Sequence, residues 1–328
     1  MSVLIITHSE DNDSIDRVAE AIRELGDEPV RFDTDLFPTE IQLAARVHGD
    51  GDDLVLRWKD GREADLLEVT AVWYRRFQAG GKLPADLDPQ LRDASLNETR
   101  RTLVGLFASL DAFWVDPFET VKHAMNKQLQ LEIAREMGLA IPDTLTTNDP
   151  DAVRRFAAEH PDGIITKMLS SFAIYDDEGR ENVVFTNPVG PEDLEQMEGL
   201  DLCPMTFQEN VPKDVELRVT VMGRQVFAAS IASQTEERAT HDWRREGAKM
   251  IDRWQVHELP KDLRDRLLGL CDHLGLNYGA IDLILTPDGR YVFLEINPSG
   301  EWFWLEHYPG FPLSRALAEV LVDPGRRR

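Results

Sequence analysis

Residues 280–300, AIDLILTPDGRYVFLEINPSG, constrain the fold of this chain more than any other segment, because turn chemistry sets their register. Two apolar runs flank Pro287, Asp288 and Gly289, and an Asp-Gly pair suits the positive φ angles of a two-residue type I′ hairpin turn. With Asp288 and Gly289 at its centre, Pro287 pairs with Arg290 and Asp282 faces Glu295. Asn297 lies two residues past Glu295, so the period of two puts it on the same face. Two carboxylates and an amide thus converge amid Ile281, Leu283, Leu294 and Ile296. Opposed like charges destabilise a sheet, so a cation is expected to hold them together. Such oxygen donors suit Mg2+, which takes one or two carboxylates and leaves its other positions to phosphate and water. The same repulsion predicts that neutralising Glu295 leaves the metal-free protein as stable as before, or more so. Two acids at this spacing more often mark a solvated hairpin; the added Asn297, with Pro-Ser-Gly ending the strand, favours the metal site.

Three further segments carry charge in places that ask for a ligand. In GIITKML, Lys167 shares one face with Ile165 and Leu169 while Ile164, Thr166 and Met168 occupy the other, so a strand buried on both sides holds a lysine that needs an anion. The alternative is a lysine that snorkels to solvent. Lys127, in the helical pattern before it, is a weaker signal of the same kind. In MTFQENVPKDVELRVTVMGRQVFAASIASQ, a short strand ends at Pro212 and a hairpin turns at Gly223 and Arg224. Val215, Leu217, Val219 and Val221 form its core face, which leaves Glu216 and Arg218 together on the other, either as an ion pair or as holders of ribose hydroxyls and phosphate. THDWRREGAKM places Asp242, Arg244, Arg245 and Lys249 in one loop, either solvated or offering guanidinium forks to a carboxylate or phosphate.

The N-terminal part reads as α/β. VLIIT is a strand, SIDRVAEAIRELG a helix capped by Ser14 and stopped by Gly26, and VRFD a second strand. The connection THSEDND has no glycine, which excludes the backbone approach that a dinucleotide pyrophosphate needs. A hairpin turning at Asp60 and Gly61, a buried strand in AVWYRRF and a helix over 91–110 follow, and Pro117 marks a domain boundary. One helix is expected over 121–137, stopped by Gly138, and another in DPDAVRRFAAEH. Thirty-six basic against sixty acidic residues give a formal charge of -24, which repels nucleic acid and anionic lipid, so neither is an expected partner. No apolar run is long enough to span a membrane, and the N-terminus lacks a basic leader, so a cytoplasmic location is expected. Cys203 and Cys271 lie too far apart for a zinc site and are expected to be reduced thiols.

Helix lysine, strand lysine, QEN before Pro, ExR on a hairpin, a basic loop and then D, E and N occur in an order that resembles the ATP-grasp ligases over residues 119–328. The resemblance implies an α/β chain with an ATP-grasp fold: an N-terminal α/β pre-grasp domain (1–118), a central subdomain (119–204) and a C-terminal subdomain (205–328). It implies that Lys127 and Lys167 bind ATP phosphates, Glu209, Asn210 and Val211 line the adenine hinge, Glu216 takes the ribose, and Asp282, Glu295 and Asn297 hold Mg2+. SQ at 233–234, DWR at 242–244 and NPSGEWFWLE look most like the graspetide macrocyclases of microviridin and plesiocin type. One departure is that MLSSFAIYDDEGREN, not a glycine-rich phosphate loop, follows Lys167. That segment looks like the hairpin where a precursor's leader docks, with Asp176, Asp177 and Glu178 at its tip. The implied activity is ATP-dependent closure of side-chain esters or amides between Glu or Asp and Thr, Ser or Lys of a ribosomal peptide with a leader and a Thr/Glu-rich core. Arg218 and Arg244 would stabilise charge, Asp242 would be the general base, and the enzyme would be a homodimer. An ATP-grasp ligase adding amino acids to a small molecule or protein tail would share the ATP residues, and a nucleotide-binding regulator without turnover is the alternative of another class.

Overall fold

Val3, Leu4, Ile5 and Ile6 are wholly buried because β1 (Ser2–Thr7) lies inside a parallel sheet with a core on each face. The computed structural model describes residues 2–169, 173–175, 181–183, 186–235 and 247–328. In the N-terminal part, α1 (Ser14–Glu24), β2 (Glu28–Asp33), β3 (Ile41–His48), β4 (Gly51–Trp58), β5 (Glu63–Asp65), β6 (Val69–Tyr74), α2 (Pro89–Ala108) and β7 (Phe113–Val115) follow. The parallel order is β2-β1-β6-β7, while β3, β4 and β5 form a separate antiparallel sheet. The turn at Asp60 and Gly61 falls as expected, with Gly61 at φ 90°. Strand β3 has no counterpart in the sequence reading; Ile41, Leu43, Ala45 and Val47 do alternate along it, but of its residues only Ile41 is buried. Helix α1 ends before Gly26 as expected, but Ser14 is its first residue and not its cap. Its amide and hydroxyl both donate to Asn12 Oδ1, so Asn12 organises the start.

The expected helix over 121–137 is two helices, α3 (Phe118–Ala124) and α4 (Lys127–Glu136). Asn126 is the reason: its side-chain oxygen accepts from Leu129 N at 3.0 Å and caps a new helix, which places Lys127 in the first turn. Then come β8 (Thr144–Thr147), α5 (Pro150–Glu159) capped by Asp149, β9 (Ile164–Lys167), β10 (Ala173–Tyr175), β11 (Glu181–Val183), β12 (Asn187–Val189), α6 (Pro191–Glu195) and β13 (Met205–Glu209). The sheet order β12-β9-β13-β8 includes β13, so a division after residue 204 would separate that strand from its hydrogen-bonded partners. Strands β10 and β11 pair antiparallel, Tyr175 opposite Glu181. Asp176, Asp177 and Glu178 lie between them, outside the described residues.

The remainder comprises β14 (Val215–Met222), β15 (Gln225–Ile231), α7 (Gly247–Met250), β16 (Gln255–Val256), α8 (Lys261–Leu274), β17 (Tyr278–Leu285), β18 (Tyr291–Asn297), α9 (Phe303–His307) and α10 (Leu313–Val322). Its sheet runs β16-β15-β14-β17-β18, and α3, α4 and α8 bury Ala124, Leu131, Ile133, Leu267 and Leu270 against Leu217, Val219 and Ile281. Helix α10 packs beside α1, so residues from both ends of the chain share one core. Asp116, at the N-terminal boundary, accepts from the amides of Asn277 and Tyr278 and fastens that part to the start of β17. Among the described residues, no helix is long and apolar enough to cross a membrane.

Candidate active site

The strands β9, β13, β14, β17 and β18 contribute side chains to a single cleft of about 780 Å³. The register that brings Asp282 opposite Glu295 is the expected one, reached by a different route. Thr286 N donates to Arg290 O, so the turn has three residues, with Gly289 at φ 84°. The pairing Leu283↔Phe293 is one residue out of step with Asp282↔Glu295, and Leu294 is the extra residue of a β-bulge that restores the register. Leu294 and Glu295 both line the cleft as a result.

Asn297 sits between the two acids: its Nδ2 is 3.3 Å from Asp282 Oδ2 and 3.1 Å from Glu295 Oε1. Lys127 Nζ lies 2.7 Å from Glu295 Oε2, and Arg218 Nη1 lies 3.0 Å from Asp282 Oδ1. Burial opposes the Glu295 charge, yet Lys127 and Lys167, with hydrogen bonds from Lys127 and Asn297, outweigh it and hold its pKa at about 2. The acids are therefore not left to repel each other, because each already faces a cation. The helix break at Asn126 and the end of β9 explain why Lys127 and Lys167 act on one carboxylate. The donor set fits magnesium: two carboxylates and an amide converge beside two lysines suited to phosphate, and a half-turn of the Asn297 amide presents its oxygen to the same space.

Glu216 and Arg218 share the cleft face as expected but do not pair with each other. Glu216 Oε1 accepts from Lys213 Nζ at 2.9 Å and from Ser233 Oγ at 2.6 Å. Arg218 also lies 5.4 Å from the Trp304 ring centroid, which fixes the guanidinium plane. Glu209, Asn210 and Val211 line the cleft, and Asn210 N is committed to Gly163 O. Asp242 and Arg244 lie outside the described residues.

The sequence reading missed Lys213, whose charge looks ordinary in a PKD turn, and it missed a second charged cluster. Arg75 and Arg76 follow β6, and Asp11 and Asn12 follow β1. These are neighbouring parallel strands, so both loops emerge at the carboxyl edge of the sheet, where open α/β sheets bind ligands. There they meet Ser299 and Glu301, in the loop just after Asn297. Two arginines directly after an apolar strand were the available signal.

Residues 2–122 match the family described as the MvdD pre-ATP grasp domain. The chain is similar to macrocyclase MdnC from Microcystis aeruginosa MRC, solved bound with precursor peptide MdnA, at 51% identity over 98% of this chain and 100% of that one, with a TM-score of 0.89. It is similar to a RiPP-associated ATP-grasp ligase from Chryseobacterium gregarium, in complex with ADP and a leader and core peptide, at 39% identity over 99% and 98%, with a TM-score of 0.95. The ATP-grasp ligase PsnB, complexed with a precursor variant, Mg and ADP, is 25% identical over 98% of both chains, with a TM-score of 0.73. No curated protein matches the chain.

Proposed function

This chain belongs to the graspetide macrocyclases, a family of ATP-grasp peptide ligases, and from that premise we propose how its site works and on what. It phosphorylates a Glu or Asp side chain of a ribosomal precursor with ATP, and a Thr or Ser hydroxyl, or a Lys amine, attacks the acylphosphate to close an ester or amide ring. Activation is required because a carboxylate is a poor electrophile. Lys127 and Lys167 bind the ATP phosphates, Glu209 to Val211 border the adenine, and Glu216, anchored through one oxygen by Lys213 and Ser233, takes the ribose with the other. Asp282, Glu295 and Asn297 hold the Mg2+, which when bound neutralises phosphate charge. Arg218, oriented by Asp282 and the Trp304 ring, stabilises the oxyanion that forms when the nucleophile adds. Asp242 as general base, Arg244 as a second charge stabiliser and Asp176, Asp177 and Glu178 as leader contacts rest on the family resemblance alone. The precursor combines a leader with a Thr/Glu-rich core, the enzyme is a homodimer, and the site of action is the cytoplasm.

The observation that carries this reading is the pairing of Lys127 with Glu295 at 2.7 Å in the same cleft as Asp282, Asn297 and Lys167. It links a phosphate-binding lysine directly to a metal ligand. The test is incubation with ATP, magnesium and precursor peptides, MdnA and any Thr/Glu-rich peptide encoded beside this chain, followed by intact mass. Each ring should remove the mass of one water and release one ADP. Peptides of unchanged mass, with no ADP formed, would refute the reading.

A further inference from the structure

Arg75 and Arg76 present two guanidinium groups at the edge of the ATP cleft, and their neighbours balance only one of the two charges permanently. Asp11, whose side chain is wholly buried, lies 3.7 Å from Arg75 Nε and 3.5 Å from Arg76 Nη1. It is fixed by Thr7 Oγ1 at 2.8 Å and by the amide of Asn12 at 2.9 Å. The second negative charge is Glu301, whose carboxylate meets Arg76 Nη2 through Oε1 and Arg75 Nη2 through Oε2, the latter at 2.6 Å. Asn12 Nδ2 donates to Oε2 at 2.8 Å.

Glu301 fills this position without satisfying it. Arg75 is 3% exposed and donates from Nη1 to Ser299 O at 2.8 Å, but its Nε and Nη2 make no hydrogen bond of sound geometry among the described residues. Leaving donors of a buried cation unmatched is costly, and a carboxylate free to approach in the guanidinium plane would pair with both. The chain beside Glu301 is closely packed, since a side chain at Gly300 would meet Ala280 Cβ at 2.6 Å. The Glu301 side chain, 29% exposed, can swing away.

The cluster also adjoins the reacting centre. The Tyr278 hydroxyl donates to Gly300 O at 2.6 Å. Burial raises the pKa of that hydroxyl, and after it the charges of Arg75, Arg218 and Asp282 act on it, so Arg75 and the Arg218–Asp282 pair are both felt at one side chain.

We propose that Arg75 and Arg76 are the docking site for a side-chain carboxylate of the peptide, and that Glu301 occupies it as an internal stand-in that the substrate displaces. The inference deepens the proposed function and rests on it, since a macrocyclase must hold the carboxylate it activates. Exchange of one carboxylate for another conserves charge in a half-buried site, which gives selection for an acid over an amide. It also keeps the two arginines from capturing unrelated anions.

The test reads carboxylate binding directly and needs no ring closure. N-acetyl-L-glutamic acid N-methylamide and its glutamine counterpart are titrated by ligand-observed NMR against the full chain with ADP and magnesium bound. Glu301→Gln should bind the acid more tightly than the parent does by on the order of tenfold, with binding of the amide unchanged. Arg76→Gln should lose the preference for acid over amide while keeping its ADP affinity, and Arg76→Lys, which retains charge without the fork, should keep part of it. The proposal is overturned if Glu301→Gln binds acid and amide equally, or if the acid preference survives in Arg76→Gln. Absence of ring formation in the mass assay would instead strike the proposed function, so the two failures are distinguishable.

Discussion

Replacing Glu295 by Gln tests whether the Asp282 and Glu295 pair is a site of repulsion or of attraction. The opposed acids alone predict that the metal-free variant is at least as stable as the parent. The structure reverses the sign, because Glu295 faces Lys127 at 2.7 Å and feels Lys167, while Asp282 is taken up by Arg218. A carboxylate held at about 2 instead of its ordinary 4.5 contributes on the order of 3–4 kcal/mol to folding at neutral pH, at about 1.4 kcal/mol per pH unit. Loss of one partner of a fully buried ion pair costs about 3–5 kcal/mol, and because the Lys127 and Glu295 side chains are 23% and 14% exposed the loss here should lie at or below the lower end of that range. The folded pKa is depressed, so this stabilisation is complete above the unfolded value of 4.5 and disappears as pH falls through about 2. The assay is calorimetric or denaturant unfolding of parent and variant without nucleotide or magnesium. Glu295→Gln should be the less stable protein by a margin that is constant from neutral pH down to about 5 and narrows below that. Lys127→Met should remove most of the difference, since the Glu295 charge then lacks its main partner. A variant as stable as the parent at neutral pH would refute the pairing argument and restore the repulsive one.

Lys167→Met retains the apolar stem and should weaken ATP binding on the order of tenfold in calorimetric titration, with peptide binding intact; unaltered ATP affinity would make Lys167 a packing residue. Arg218→Met should still bind ADP but slow ring formation by on the order of 100-fold, read by intact mass over time. Asp176→Asn with Asp177→Asn should weaken a labelled leader peptide by about tenfold at most, an effect that shrinks with added salt, whereas equal affinity at low salt would place the leader elsewhere. Native protein should take up maleimide at the exposed Cys203 and not at Cys271, whose thiol burial pushes up to about 12; mass spectrometry of labelled peptides checks this.

The sequence determined what depends on local periodicity and turn chemistry. Alternation along β14, β17 and β18 sorts Glu216, Arg218, Asp282, Glu295 and Asn297 onto one face regardless of what that face meets. Even there the Asp282 register was reached because two departures cancel, a three-residue turn and the bulge at Leu294, and neither is visible without the backbone. Tertiary structure alone decided the partners. Whether Glu295 repels Asp282 or binds Lys127, whether Glu216 takes Arg218 or Lys213, and whether Arg75 and Arg76 are solvated or joined to Glu301, 225 positions away from Arg76, are questions of distance through space. Coulomb energy falls with that distance and with the water between charges, and a one-dimensional pattern carries neither quantity.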